Sequence, residues 1–281
     1  MSITAETNKF SIVASNQYLN GIIAPKLLLN SETWHPITDT ELKNLEQTFS
    51  QSIKRLLHIP YSTPTKGLYH ELGIMSIKNQ IIVRKLNFLH KIMNKPEGTL
   101  AKKIIQEQKS LPYQTWIKCA EYHLNYIENG LKIEDMEKYS KEQWKSKVKK
   151  YSWQIENEEF QTWCTSSKKC NHMKNSPIKM QNYIQCLPPK NAKIILETRL
   201  GLIDVKTNYH NKHTDSICRN CQKEKETTYH FIECLTPAEM KKIMEKFQVI
   251  WDLDKIEDLK EISDHIYNIL RENSFFDYAE I

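Results

Sequence analysis

Cys218, Cys221, His230 and Cys234 fall within seventeen residues in the spacing C-x2-C-x8-H-x3-C. Two thiols three residues apart can grip one ion from a tight turn. A His and a Cys four residues apart share one side of a helical turn and can supply the remaining two ligands. Three sulfurs and one imidazole close a tetrahedral shell, the pattern of a structural Zn2+ site; a catalytic zinc would keep one position open for water. His210 and His213 lie just before the pair, but His230 is better placed because its partner Cys234 is one helical turn away. The motif predicts a small zinc knuckle over 218–234 near the C-terminus.

The other cysteines point the same way. Cys119, Cys164, Cys170 and Cys186 show no regular spacing, so four of the seven are left outside the motif. Loose thiols suit a reducing compartment, cytoplasm or nucleus. Cys164, Cys170 and His172 offer only three ligands at irregular spacing, which argues against a second metal site.

Hydrophobic periodicity predicts helices almost throughout and no strand ladder. Thr38 to Glu41 and Ser140 to Gln143 have the form of capping boxes. Behind the first, Leu42, Leu45, Phe49, Ile53 and Leu56 fall on one helical face. Behind the second, Trp144, Val148, Tyr151 and Ile155 do the same, in a helix expected to reach about Trp163. Further helices are expected over 66–72 with Gly73 just past the end, from Ile77 to Ile92, over 100–109, 114–128, 178–186 and 189–200, and at 237–247 and 256–272. An apolar N-terminal segment is expected to break near Pro25. The fold class is therefore all-α: an elongated helical array with a small CCHC knuckle. The loop-like stretch 164–177 divides it into a helical region at 1–163 and a second at 178–281 that carries the knuckle.

Several functions find no support. Six glycines, with neither G-x-x-x-x-G-K nor G-x-G-x-x-G, argue against a glycine-rich phosphate loop. No apolar run approaches the ~20 residues of a membrane span, and no secretion signal is read. Asp252, Asp254, Glu257 and Asp258 could hold magnesium, but such a cluster is more often the acidic first turn of a helix.

The net charge of +6 is uneven. Residues 235–281 hold eleven acids against six bases, leaving 1–234 near +11. A basic body is compatible with a nucleic-acid partner. Lys141, Lys145, Lys147, Lys149 and Lys150 crowd the start of the 140–163 helix, interleaved with Trp144, Tyr151 and Trp153. The lysines suit phosphate contacts. The aromatics have the spacing of a core stripe, which outweighs a stacking role.

Taken in order, several blocks resemble one family. Leu28-Leu29-Asn30-Ser31-Glu32-Thr33-Trp34, Pro60-x-Ser62-Thr63-Pro64 and Glu71-Leu72-Gly73 resemble the segment just after the catalytic palm in reverse transcriptases of non-LTR (LINE-type) retrotransposons. Thr198-Arg199-Leu200-Gly201-Leu202, running through Asn208-Tyr209 into the CCHC motif, resembles the zinc-binding region near the C-terminus of the same polyproteins. The resemblance implies a thumb-like helical part, a helical linker and a zinc knuckle, which contact RNA or DNA while the palm does the chemistry. It adds Arg199 to the candidate phosphate contacts, with a structural role as its alternative. No Tyr-x-Asp-Asp and no recognisable endonuclease accompany these blocks, so the expectation is a non-enzymatic nucleic-acid-binding module, detached from its catalytic parts. The alternative is a structural or protein-interaction remnant whose zinc only holds the fold.

Overall fold

The computed structural model describes residues 11–127, 130–167, 169–174, 176–203, 205–207, 215–235 and 256–273. Along the chain run α1 (Ile12–Tyr18), α2 (Ala24–Leu27), α3 (Asp39–Leu56), α4 (Thr65–Leu72), α5 (Ile77–Met93), α6 (Leu100–Ser110), α7 (Trp116–Leu124), α8 (Lys141–Ser166), α9 (Asn182–Cys186), α10 (Pro189–Arg199), α11 (Thr228–Leu235) and α12 (Ile256–Asn273). The protein is all-α. Among the described residues the β structure is one antiparallel bridge, Ile217 to Lys225. In the same residues no helix is long and apolar enough to cross a membrane. The helix expected at 237–247 lies outside the described residues.

Local signals set the helix ends. The Thr38 N–H donates to Glu41 Oε2 at 2.8 Å, and the Glu41 N–H to Thr38 Oγ1 at 3.2 Å. Ser140 and Gln143 make the same reciprocal pair at the start of α8, at 2.9 and 3.3 Å. Gly73 ends α4 at φ +64°, its N–H turned back onto the carbonyls of His70 and Tyr69. Two boundaries differ from expectation. The chain does not break near Pro25: a π-helical turn at Leu19–Ile23, where the Ala24 N–H reaches Leu19 O, leads directly into α2, which carries Pro25. α7 stops at Leu124 rather than 128, because the next N–H groups, of Tyr126 and Ile127, bond three residues back, to His123 O and Leu124 O, and the chain turns.

The chain groups into two units. One comprises residues 1–17, 53–74 and 161–281; the other comprises 18–52 and 75–160. Each draws on segments far apart in sequence, a different division from the sequential 1–163 and 178–281.

In the unit of 18–52 and 75–160, one core gathers Leu86 and Leu89 of α5, Ile105 of α6, Ile117, Ala120 and Leu124 of α7, and Trp144 and Val148 of α8. Trp144 is 1% exposed, stacks on His90 with ring centroids 5.2 Å apart, and donates from Nε1 to Leu86 O. Burying a side chain of this size contributes roughly 2–3 kcal/mol.

In the other unit, α10 packs against α9 and α12. Ile194, Ile195 and Leu196 are buried with Leu259, Ile262 and Ile266. Asn191 of α10 donates to Ser263 Oγ at 2.7 Å and to Asp264 Oδ1 at 2.8 Å on α12. The acids Glu257 and Asp258 occupy the first turn of α12, where the helix dipole favours them.

Candidate metal centre and basic helix face

The metal tetrad is assembled by two short pieces of backbone. The first is a turn. The Cys218 N–H donates to Glu224 O at 2.8 Å, the Gln222 N–H returns to Cys218 O at 3.0 Å, and the Glu226 N–H reaches Ser216 O. Gln222 takes φ +55° to close it. Cys218 and Cys221 therefore lie on one tight loop. The second piece is α11. Thr227 precedes it and accepts the His230 N–H on Oγ1 at 3.1 Å. One helical turn then brings His230 and Cys234 to the same side, as the spacing requires.

The ligand atoms of Cys218, Cys221, His230 and Cys234 all lie within 4.8 Å of one another. A tetrahedral shell with metal–sulfur bonds of ~2.3 Å has edges of about 3.8 Å, so these four fit around one ion. The tetrad could hold a metal ion, and three thiolates with an imidazole are compatible with zinc. Cys218 is 1% exposed, which keeps water from that side. Among the described residues this is the one such group; Cys164, Cys170 and His172 do not form a second. His210 and His213 lie outside the described residues.

Neighbouring groups prepare the ligands. His230 Nε2 is 3.3 Å from Cys221 Sγ, while Nδ1 sits 3.2 Å from Glu224 Oε2. A carboxylate on Nδ1 orients the ring and leaves Nε2 for the metal. Backbone N–H groups of Glu224 and Lys223, in that order, hold the Cys221 thiol down to about 6, so a thiolate is present at neutral pH. Burial pushes the Cys234 thiol up, opposed by the Asn220 amide, which donates to its sulfur at 3.0 Å. Glu224 and Asn220 escaped the sequence reading because orienting partners obey no spacing rule.

The knuckle is tied to its own unit by Glu226, which is 0% exposed. Its carboxylate accepts from the Arg219 N–H, Nε and Nη2 and from the Lys206 N–H. Arg219 also covers the ring of Phe231, itself fully buried. The metal loop is thus held by a charged pair to Glu226, just ahead of α11, and by a cation–π contact to Phe231 on it.

The basic candidates separate. Lys141, Lys145, Lys149 and Lys150 are exposed on α8. Lys147 is half-buried with its ammonium 4.6 Å above the Tyr139 ring. Trp144 and Tyr151 are buried and Trp153 half-buried, the core placement that their spacing indicates.

Arg199 is the exception among the cations. It is 1% exposed, and its Nε and Nη2 donate to Glu71 Oε1 at 3.0 and 2.9 Å. Glu71 is 0% exposed and its other oxygen accepts from Tyr183 OH at 2.8 Å. Burial alone would raise the Glu71 carboxyl, but the Arg199 guanidinium, with His70, outweighs it and holds the group down to about 2. Of the two roles expected for Arg199, this geometry is that of the structural one: its charge is neutralised inside the protein.

Comparison with protein-family models, with curated proteins and with solved structures gives no match for this chain. The chemistry of these residues therefore carries the functional reading.

Proposed function

We propose that this chain is a zinc-stabilised helical module that binds RNA or DNA, resembling the C-terminal part of a non-LTR retrotransposon reverse transcriptase and having no polymerase activity of its own. The observation that carries the reading is the row of exposed lysines on α8, Lys141, Lys145, Lys149 and Lys150, projecting from a helix whose aromatic stripe is anchored in a core. Ammonium groups held on a rigid support neutralise phosphates and release counterions. Zinc is the metal we assign to the tetrad, with a structural role, because four protein ligands complete its shell. Arg199 is not among the phosphate contacts of this proposal.

Purified protein should contain one equivalent of zinc. It should also bind RNA or DNA with a log–log salt slope of about −0.7 per phosphate contact on a single strand or about −0.9 on a duplex. Absent or salt-independent binding would remove the reading. A second reading, a protein-interaction module, draws on a groove of about 690 Å³ lined by Phe88, Ile92, Ile104 and Tyr113, beside the exposed Leu100. In that case chelation unfolds the knuckle and nucleic acid gives no protection.

A further inference from the structure

A cleft of about 670 Å³ opens within the unit of 18–52 and 75–160, between α5 and the first turns of α8. Four cations line it: Arg84 and Lys91 from α5, and Lys141 and Lys145 from α8. Arg84 and Lys91 are two helical turns apart on one face, and Lys141 and Lys145 one turn apart on another. Glu32 is the carboxylate on the cleft lining. Among the described residues none of the four cations is in an ion pair. Arg84 is steadied by one bond, from Nη1 to Leu28 O at 3.0 Å, which leaves the rest of its N–H fork available. Asn87 also lines the cleft, with its amide oxygen buried and without a hydrogen-bond partner. An amide turned about its terminal bond would present its NH2 there instead.

We propose that this cleft seats the backbone of a single-stranded nucleic acid, with Arg84, Lys91, Lys141 and Lys145 as its phosphodiester contacts. The inference rests on the nucleic-acid reading above and gives it an address. Like charges brought together on the walls of a cleft repel one another, and an anion between them relieves that repulsion and is held more strongly than on an open surface. The spacing favours a chain over a single ion. Arg84 and Lys91 are about 10 Å apart along the α5 axis, farther than one phosphate spans. A concave basic track of this kind follows one strand. The cleft also divides the α8 lysines. Lys141 and Lys145 belong to it. Lys149 and Lys150 lie outside its lining, and Lys147 is held over Tyr139.

Two double variants of the full-length, zinc-loaded protein separate the possibilities, because each removes two exposed positive charges. In Lys91→Gln/Lys145→Gln the charges come from the cleft; in Lys149→Gln/Lys150→Gln they come from the outer face. Fluorescence anisotropy with labelled oligouridine and oligothymidine of equal length, titrated with salt, reads both the affinity and the slope. The cleft variant should lose at least tenfold in affinity at low salt and flatten the slope by about 1.4, a clearly larger loss than that of the outer variant. Far-UV circular dichroism checks that both stay folded. Equal losses in the two variants overturn the cleft assignment and leave the nucleic-acid reading standing. Tighter binding of a duplex than of either single strand overturns the cleft alone as well. Failure of the unaltered protein to bind either strand overturns both.

Discussion

Arg199→Met should be among the most damaging single substitutions in this protein, although it exchanges one long side chain for another. Arg199 and Glu71 are 1% and 0% exposed, and the guanidinium makes two bonds to one carboxylate oxygen. Removing one member of such a pair leaves an uncompensated buried charge, which costs roughly 3–5 kcal/mol. The ionisation of Glu71 points the same way. The Glu71 carboxyl is held down to about 2 against an ordinary 4.5, a difference of roughly 3 kcal/mol in favour of the folded, ionised state. Because the folded value lies below the unfolded one, this stability is fully present above about pH 4.5 and is lost as the pH falls toward 2. Urea unfolding followed by circular dichroism, on Glu71→Gln, Arg199→Met and the double variant, measures the effect. The double variant should cost less than the sum of the singles, with a coupling of about 2–3 kcal/mol. Glu71→Gln and the double variant should both lose the part of the parent's acid-dependent destabilisation that Glu71 supplies. A cost below about 1 kcal/mol for Arg199→Met, the range of solvent-exposed pairs, would refute the burial and return Arg199 to the candidate phosphate contacts.

Glu197 should behave in the opposite sense. Burial pushes its carboxyl up to about 7, against an ordinary 4.5. The folded state therefore binds the extra proton, and stability falls as pH rises through this window; Glu197→Gln should raise Tm by several degrees at about pH 8 and change little at about pH 4, as followed by calorimetry. Gly73→Ala should cost at least about 2 kcal/mol in urea unfolding, because φ +64° strains any L side chain and the new methyl would meet the backbone of Lys179 and Met180. Removing the metal with a chelator should unravel 215–235 while the helices of 75–160 keep their amide-exchange protection; Cys218→Ser should weaken cobalt(II) binding and the intensity of its thiolate charge-transfer bands. Lys147→Gln should weaken nucleic-acid binding less than Lys145→Gln, since its ammonium is engaged over Tyr139.

Local rules made much of this protein legible. A capping box spans four residues, a glycine terminator acts on the carbonyls just before it, and a His and Cys one turn apart must share a helix side. Thr38 with Glu41, Ser140 with Gln143, Gly73, and the pair His230 and Cys234 are therefore where their sequence neighbours put them. The same holds for Trp144 and Val148, whose period marks the buried face of α8. The limits were local as well. Pro25 was expected as a break, yet a π turn just ahead of it carries the helix on into α2. The early end of α7 is a turn that periodicity cannot see, because Ile127 is buried whether or not its backbone is helical.

Sequence alone thus determined the helical class, the tetrad that could hold a metal, and which face of α8 is wet, because each follows from residues within a few positions of one another. The tertiary structure decided what stands opposite each polar group. Arg199 reads as one more surface cation until the fold brings Glu71 to it from 128 residues away. Lys141 and Lys145 read like Lys149 and Lys150 until α5 places Arg84 and Lys91 on the same cleft. Charge is a property of the residue, but whether it is cancelled, shielded or left open is set by partners that only chain folding supplies.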